Sequence, residues 1–308
     1  MEYTFKTANE AFTILYDDLG RKDKDDHQIS GFFQSKPRGK LCNETIDLVI
    51  KILEPQNCLV WTGIRGLPIT YLAKEYLWYL NGSRDPKDAP AKVWDSLKNT
   101  EGSDIGLINS NYGSYIFKQK DNKDDSKSVF EATVELFKKD PDTRQGIWQI
   151  PIMSHRQDLD TPCTSSAHFI LRDNKLYLTM YQRSCDCWFG FANDVTQFIM
   201  WQMMLANELN VELGTYKHVF GSFHVYENNF ISNADEFNKW MDKEYIKGKE
   251  GLMYFRYFDN RNYREILKDI KDDFNYIAKT NSKDIDENKL KIDELKYMLK
   301  NMKITKFN

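Results

Sequence analysis

The sequence of 308 residues predicts a mixed α/β fold, on three observations. Residues 167–183 read as one long β-hairpin, in which the apolar and aromatic runs "AHFILRD" and "KLYLTMYQR" flank Asp173-Asn174, a pair suited to a two-residue turn. Residues 68–80 and 194–209 instead repeat apolar side chains at helical spacing. "KHVFGSFHVY", residues 217–226, reads as a further strand.

The elements follow in chain order. Residues 20–40, polar and punctuated by Gly and Pro, read as a loop. "PITYLAKEYLWYL" begins at Pro68, ends before Asn81-Gly82 and reads as a buried helix. Residues 83–127 read as loop and short elements, with a charged, turn-rich insert at "KQKDNKDDSKS". "VFEATVELFKKDPDTR" reads as a helix stopped by Pro141. In the hairpin Arg172 faces Lys175; carried down both strands, that register puts Cys163 across from Ser184, next to Arg183. Val195, Phe198, Ile199, Leu205, Ala206 and Leu209 mark the next helix. From about residue 259 the texture changes to two charged amphipathic segments, "NYREILKDIKDDFNYIAK" and "IDENKLKIDELKYMLKNMK". They look like a helical extension, residues 259–308, appended to a catalytic part, residues 1–258.

Composition narrows the function classes. With 41% hydrophobic and 14% aromatic residues the chain is expected to be globular. A net charge of −3 gives no reason to expect general affinity for nucleic acid or anionic membranes, so an anionic substrate needs a few placed arginines. Five cysteines with no signal peptide and no long apolar span suggest reduced thiols in a cytoplasmic protein. The five histidines lack ligand spacing, so no metal is expected.

Several residues stand out chemically. Cys163, after Pro162 at a strand start, is either a small buried hydrophobe or a nucleophile whose pKa a neighbouring arginine lowers. Glu75 has Tyr71, Leu72, Trp78 and Tyr79 as its helical neighbours, so it is either buried with a raised pKa, as a general acid/base requires, or at the edge of an irregular helix. Arg183 and Ser184 could hold a phosphate or belong to a surface ion pair. His224 and Tyr226 share one face of a strand, either gripping a sugar hydroxyl or satisfied in the core. Asp194, at a helix start, is a favoured cap, and Asn193 could cap as well.

Taken together the order and spacing are specific. "PC" is followed twenty positions later by "RSCD", then "FG" and "GSFHVY", with "EYLWYL", "KVWDSL", "NSNYG" and "PDTR" upstream. Over residues 35–230 this resembles the thymidylate synthase superfamily. The resemblance implies a large bent mixed sheet covered by helices, a homodimer formed through the back of that sheet, and 5,10-methylenetetrahydrofolate as co-substrate. It makes Cys163 the thiolate that adds to C6 of a pyrimidine nucleotide and Glu75 the carboxylate acting through water on C5 proton loss. Tyr112 becomes the tyrosine near the reacting carbons, Arg183 and Ser184 the phosphate pair, and His224 and Tyr226 the pair on the sugar 3′-hydroxyl. Trp94, Asp186 and Gly190 match positions lining the folate site.

One departure bears on the base. Eleven positions after the motif arginine these synthases carry an Asn that pairs with uracil, where this chain has Asp194. A carboxylate accepts from the cytosine 4-amino group, and when protonated it can donate to N3; against uracil it opposes the O4 acceptor. Such a buried mismatch costs about 1–3 kcal/mol, roughly ten- to hundredfold. "PCT" in place of "PCH", "INSNYG" and the "FGF-x-ND" pattern look like the deoxycytidylate hydroxymethylases of bacteriophages with modified cytosine. That branch captures the exocyclic methylene with water, giving 5-hydroxymethyl-dCMP from dCMP and free tetrahydrofolate.

A dCMP C5-methyltransferase and a CMP hydroxymethylase stay open, with thymidylate synthase itself disfavoured by Asp194, and a nucleotide- or RNA-binding relic is the reading outside enzymes. "PDTRQ" keeps only Arg144 where the family has an arginine pair reaching the phosphate across the dimer, and Arg38 in "KPRGK" is a candidate for the mobile phosphate-loop arginine. The charged chain end replaces the short apolar tail that closes over the folate in the synthases.

Overall fold

The computed structural model describes residues 2–21, 31–46, 48–60, 65, 68–100, 104–155, 158–231, 261–293, 295, 296 and 299. Two sheets form its frame. The larger has the order β1-β4-β9-β7-β6-β5 and the smaller β2-β3-β10-β8. Here β1 is Glu2–Phe5, β2 Phe32–Ser35, β3 Cys42–Thr45, β4 Val49–Ile52 and β5 Ile147–Gln149. The remaining strands are β6 Thr164–Arg172, β7 Lys175–Gln182, β8 Cys185–Asp186, β9 Glu212–Phe220 and β10 Phe223–Tyr226. β1 runs parallel to β4 and β9 parallel to β7, while the other neighbours in the large sheet are antiparallel, so the sheet is mixed.

The hairpin forms at the expected turn. Asp173 and Asn174 both take positive φ, 49° and 57°, the twist a two-residue turn between strands requires. Arg172 faces Lys175, and the register holds to Ser166–Tyr181. There it slips by one residue, so Thr164 pairs with Gln182 and the Arg183 amide donates to the Cys163 carbonyl at 2.9 Å. Cys163 therefore lies across from Arg183 rather than Ser184. The bulge falls at Ser165, whose carbonyl is taken by the Ile150 amide and whose hydroxyl donates to the Tyr181 carbonyl.

The expected single strand over 217–226 is two, in different sheets. The chain leaves β9 at Phe220, passes Gly221-Ser222 and re-enters as β10. Its parallel neighbour breaks at the same level, between β7 and β8, at Arg183-Ser184. The two crossings press together: the Gly221 amide donates to the Gln182 carbonyl at 2.8 Å, and a Cβ on Gly221 would meet the Arg183 carbonyl oxygen at 2.8 Å. Residues 20–40, expected to be loop, contain β2, which pairs with β3 and so borrows its regularity from a neighbouring strand.

Five helices among the described residues cover this frame: α1 Ala8–Leu19, α2 Ile69–Asn81, α3 Val129–Lys139, α4 Ala192–Leu209 and α5 Tyr263–Lys279. α3 opens with a reciprocal capping box between Ser128 and Glu131. α4 lies against β7 and β9, and its buried Phe198 and Trp201 pack on one face of the large sheet, with ring centroids 5.8 Å from His218 and 6.2 Å from Trp148. The opposite face keeps Ile147 and Tyr181 exposed. The charged C-terminal segment contributes to the core. Ile266, Leu267, Ile270, Phe274 and Ile277 of α5 are buried, and the Phe274 ring meets Tyr76 of α2 edge-on at 5.8 Å. Asp273 then accepts the Lys291 and Ile292 amides at 2.8 and 2.9 Å, pinning the chain beyond α5. No helix among the described residues is long and apolar enough to cross a membrane, and all five cysteines are free thiols.

Because Phe274 is wholly buried, Phe274→Ala is expected to cost about 3–5 kcal/mol in urea denaturation. A loss below about 1 kcal/mol would show that α5 is not part of this core.

Candidate active site

The Ser165 bulge builds the site. It brings Arg183 opposite Cys163, and the guanidinium donates from Nε to the Pro162 carbonyl at 3.0 Å and from Nη2 to the Thr161 carbonyl at 2.8 Å. Nη2 also lies 3.7 Å from the Cys163 sulfur. Three of the five guanidinium donors thus hold the loop carrying the thiol, while the Nη1 pair makes no hydrogen bond among the described residues and Arg183 is exposed. The expectation that the arginine lowers the thiol pKa holds only for its own contribution. Burial pushes the Cys163 thiol up on balance, opposed by Arg183 and reinforced by Asp194 and Asp160. The free protein therefore holds a thiol whose anion Arg183 is placed to stabilise.

Two carboxyl groups face each other from α2 and α4. Glu75 is buried, not at a helix edge, because α2 is packed on both sides. Tyr71, one turn earlier, donates to Glu75 Oε1 at 2.9 Å, and Gln197 of α4 donates to Oε2 at 3.3 Å. Burial, then the charge of Asp194, pushes Glu75 up to about 8. Asp194 does not cap α4. Residues Cys187–Phe191 already form a wide helical turn leading into it, and Asp186 caps that turn through the Trp188 amide at 2.9 Å. Asn193 does not cap it either, since its amide donates to the Phe189 carbonyl at 2.8 Å. Asp194 turns inward, where Oδ2 accepts from Gln182 Nε2 at 2.8 Å, and burial pushes it up to about 7. Gln182 Nε2 also reaches Thr164 Oγ1 at 3.1 Å, tying the residue after Cys163 to the carboxyl on α4.

Tyr112 enters from a clamped loop. Asn111 donates to the carbonyls of Trp78 and Ser83, satisfying the end of α2. Asp160, three residues before Cys163, accepts the amides of Asn109 and Ser110 at 2.7 and 2.8 Å. The Tyr112 ring lies 5.6 Å from Tyr79 and 6.3 Å from Phe198, and its burial beside Cys163 raises the phenol well above its ordinary range.

At the sheet crossing, His224 and Tyr226 meet with ring centroids 4.9 Å apart. His224 Nδ1 is hydrogen-bonded to Ser222 at 3.3 Å, and burial lowers the imidazole to about 4, so it is neutral at pH 7. Ser184 is half-buried and makes no hydrogen bond among the described residues. Arg38, exposed in the turn Pro37–Gly39, is close enough for its charge to act on Cys163 and Tyr226. Arg144 is not brought to this group. It is exposed beside β5, and its carbonyl is bonded by His168, four residues along β6 from the Cys163 end.

Residues 56–245, more than half of the chain, match the thymidylate synthase family. The chain belongs to the thymidylate synthase family. It is 27% identical over 217 residues to the bifunctional dihydrofolate reductase-thymidylate synthase of Paramecium tetraurelia, a match covering 61% of this chain and 46% of that protein. The corresponding protein of Plasmodium chabaudi is 29% identical over 171 residues, covering 53% of this chain and 28% of that protein. The chain thus spans less than half the length of the curated relatives it matches.

In this member of the family, Trp94 packs on Trp78 at 5.2 Å, and its buried Nε1 has no hydrogen-bond partner among the described residues. Asp186 is pushed up to about 6 by burial, against the Trp188 and Phe189 amides and Arg65. Gly190 lies beside Asp186 and Asp194: a Cβ there would sit 3.4 Å from Cys185 Sγ, 3.8 Å from Asp194 Oδ2 and 3.9 Å from Asp186 Cβ. Gln182, Gln197, Tyr71 and Asp160 escaped sequence reasoning. The available signal was spacing, since Gln197 is three residues after Asp194 and Tyr71 four before Glu75, each on one helical face with its carboxyl.

Glu75 and Asp194, raised from 4.5 and 3.8 to about 8 and 7, keep protons that the unfolded chain has released. The stability they contribute is complete below about pH 4 and is lost as pH rises through 7 to 8. Glu75→Gln and Asp194→Asn are each expected to gain stability relative to the wild type as pH increases from 5 to 9, measured by urea denaturation; a difference independent of pH contradicts the raised values.

Proposed function

We propose that this protein transfers a one-carbon unit to C5 of dCMP and captures it with water, giving 5-hydroxymethyl-dCMP. The observation that carries the reading is Asp194: a half-buried carboxyl that caps nothing, held by Gln182 and raised to about 7. Gln182 donates to Oδ2 and so favours the proton on Oδ1; with Oδ2 at the 4-amino group and Oδ1 at N3 the carboxyl accepts from and donates to cytosine, whereas uracil needs the proton on Oδ2, where it weakens the bond from Gln182.

The other groups take complementary roles. The Nη1 donors of Arg183, the Ser184 hydroxyl and Arg38 suit the 5′-phosphate, and the neutral His224 with Tyr226 suits the sugar hydroxyl. Arg144 reaches that phosphate only from a second copy of the chain, and the exposed Ile147 and Tyr181 on the open sheet face suit a homodimer. Trp94, Asp186 and Gly190 offer an indole, a carboxyl and a glycine backbone beside Asp194, a lining that fits a folate. 5,10-Methylenetetrahydrofolate would supply the one-carbon unit at the oxidation level of formaldehyde.

The Cys163 sulfur adds to C6 and the electron pair of the C5–C6 bond makes C5 nucleophilic. C5 bonds the one-carbon unit and Glu75 takes the C5 proton; that proton passes to the departing folate nitrogen as its bond to the carbon breaks, which returns Glu75 to the carboxylate and leaves an exocyclic methylene on the ring. Water bonds to that methylene, and the returning electron pair restores C5–C6 unsaturation and expels the Cys163 thiolate. No hydride is consumed, so tetrahydrofolate leaves unoxidised.

The names of the relatives favour a second reading, methylation of dUMP. Incubation with dCMP, CMP or dUMP and methylenetetrahydrofolate, followed by mass analysis of the base, separates them. Hydroxymethyl on dCMP is expected; methyl on dCMP indicates a methyltransferase, and preferred turnover of dUMP contradicts the role of Asp194. Asp194→Asn is expected to shift the dCMP-to-dUMP preference toward dUMP by about ten- to hundredfold. Cys163→Ala should abolish product and any covalent nucleotide adduct; retained turnover removes the mechanism.

A further inference from the structure

Tyr71 is the least expected polar group in the site. In the sequence it is one of the apolar neighbours that make Glu75 odd. In the structure its hydroxyl is spent on Glu75 Oε1 at 2.9 Å, while Gln197 engages Oε2 at 3.3 Å and anchors itself on the Leu72 carbonyl at 3.0 Å. Both carboxyl oxygens are thus oriented, one from α2 and one from α4, so the group has a fixed plane. The hydroxyl also faces the reacting region: it feels the charges of Glu75 and Asp194, and the Trp94 indole acts on it as a neighbouring dipole without a bond of ordinary geometry. The Gln197 Oε1 atom on the same cluster is buried without a partner among the described residues, which leaves an acceptor beside Glu75 suited to a small donor such as water.

We propose that Tyr71 is a positioning residue that orients Glu75 toward the water that captures the C5 methylene. The inference rests on the hydroxymethylation reading. In that step the water oxygen bonds to the methylene carbon, and one water proton passes to the Glu75 carboxylate. The electron pair of the exocyclic double bond moves into the ring and the C6–sulfur bond breaks, releasing the Cys163 thiolate. A donor on Oε1 favours the ionised carboxylate that must accept this proton, against burial and the Asp194 charge, which disfavour it. The titratable groups facing Glu75 are Asp194 from α4 and Tyr71 and Tyr79 from α2, with the neutral Gln197 amide completing the surroundings.

Tyr71→Phe in the full-length protein removes one oxygen atom and keeps the ring. The expected result is an unchanged KM for dCMP, about tenfold lower kcat, and a kcat–pH profile whose rising limb moves up by about one unit, the size of one hydrogen bond to a charged group. A profile superimposed on that of the wild type, even with a lower melting temperature, overturns the role of Tyr71 and leaves hydroxymethylation standing. A wild type that methylates its substrate, or prefers dUMP, overturns the hydroxymethylation reading; the water-capture role of Tyr71 then falls with it, whatever the variant's profile. Gln197→Leu, which strips the other oxygen, is expected to move the same limb in the same direction, and a downward shift contradicts the carboxylate role.

Discussion

One extra residue in β6, the bulge at Ser165, decides which side chains meet in this protein. An unbroken hairpin would set Cys163 against Ser184 and turn Thr164 away from Gln182. With the slip, Arg183 faces the thiol, and Gln182 joins Thr164 to Asp194. The loop before Cys163 is held by the same guanidinium that lies against the sulfur. Breaking the parallel pair β7 and β9 at one level then opens the sheet beside this point, and His224 and Tyr226 enter from the smaller sheet. A bulge leaves one residue unpaired and bends its strand, a local cost that is tolerated where the rest of the sheet is well packed.

The second constraint is the dielectric of the site. Desolvation disfavours the charged form of both Glu75 and Asp194, and the charge of Asp194 disfavours ionisation of Glu75 further. The hydrogen bonds from Tyr71, Gln197 and Gln182 pull the other way and hold both groups near the point where either state is accessible. Carboxyl groups in that condition lower stability at neutral pH, which is the usual relation between a fold and the site it carries. Their surroundings differ: Glu75 has both oxygens engaged, by Tyr71 and Gln197, while Asp194 is engaged only at Oδ2, by Gln182, which leaves Oδ1 and the second lone pair of Oδ2 for the proposed pairing with a base.

Much of the frame was legible in the sequence because it rests on local chemistry. Asp173-Asn174 specifies the turn, the Pro68 and Gly82 boundaries specify α2, and the apolar stripe around Glu75 places it inside. The bulge was not legible, since it depends on Ile150, the residue after β5, taking the Ser165 carbonyl. Asp194 read equally well as a cap because the five preceding residues carry no signal that they are already helical. The C-terminal charges hid a buried face in α5, whose partner, Tyr76, lies almost two hundred residues earlier. Tyr71 and Gln182 were passed over because their partners become visible only when helices and strands are packed.

The central claim is that Asp194 recognises cytosine as a protonated carboxyl. Calorimetric binding of dCMP and dUMP at pH 8 in buffers of different ionisation enthalpy tests it most directly. dCMP is expected to bind about ten- to hundredfold more tightly than dUMP and to take up about one proton, a proton that the Asp194→Asn variant does not take up. Equal affinity for the two nucleotides, or dCMP binding with no proton uptake, would contradict the account.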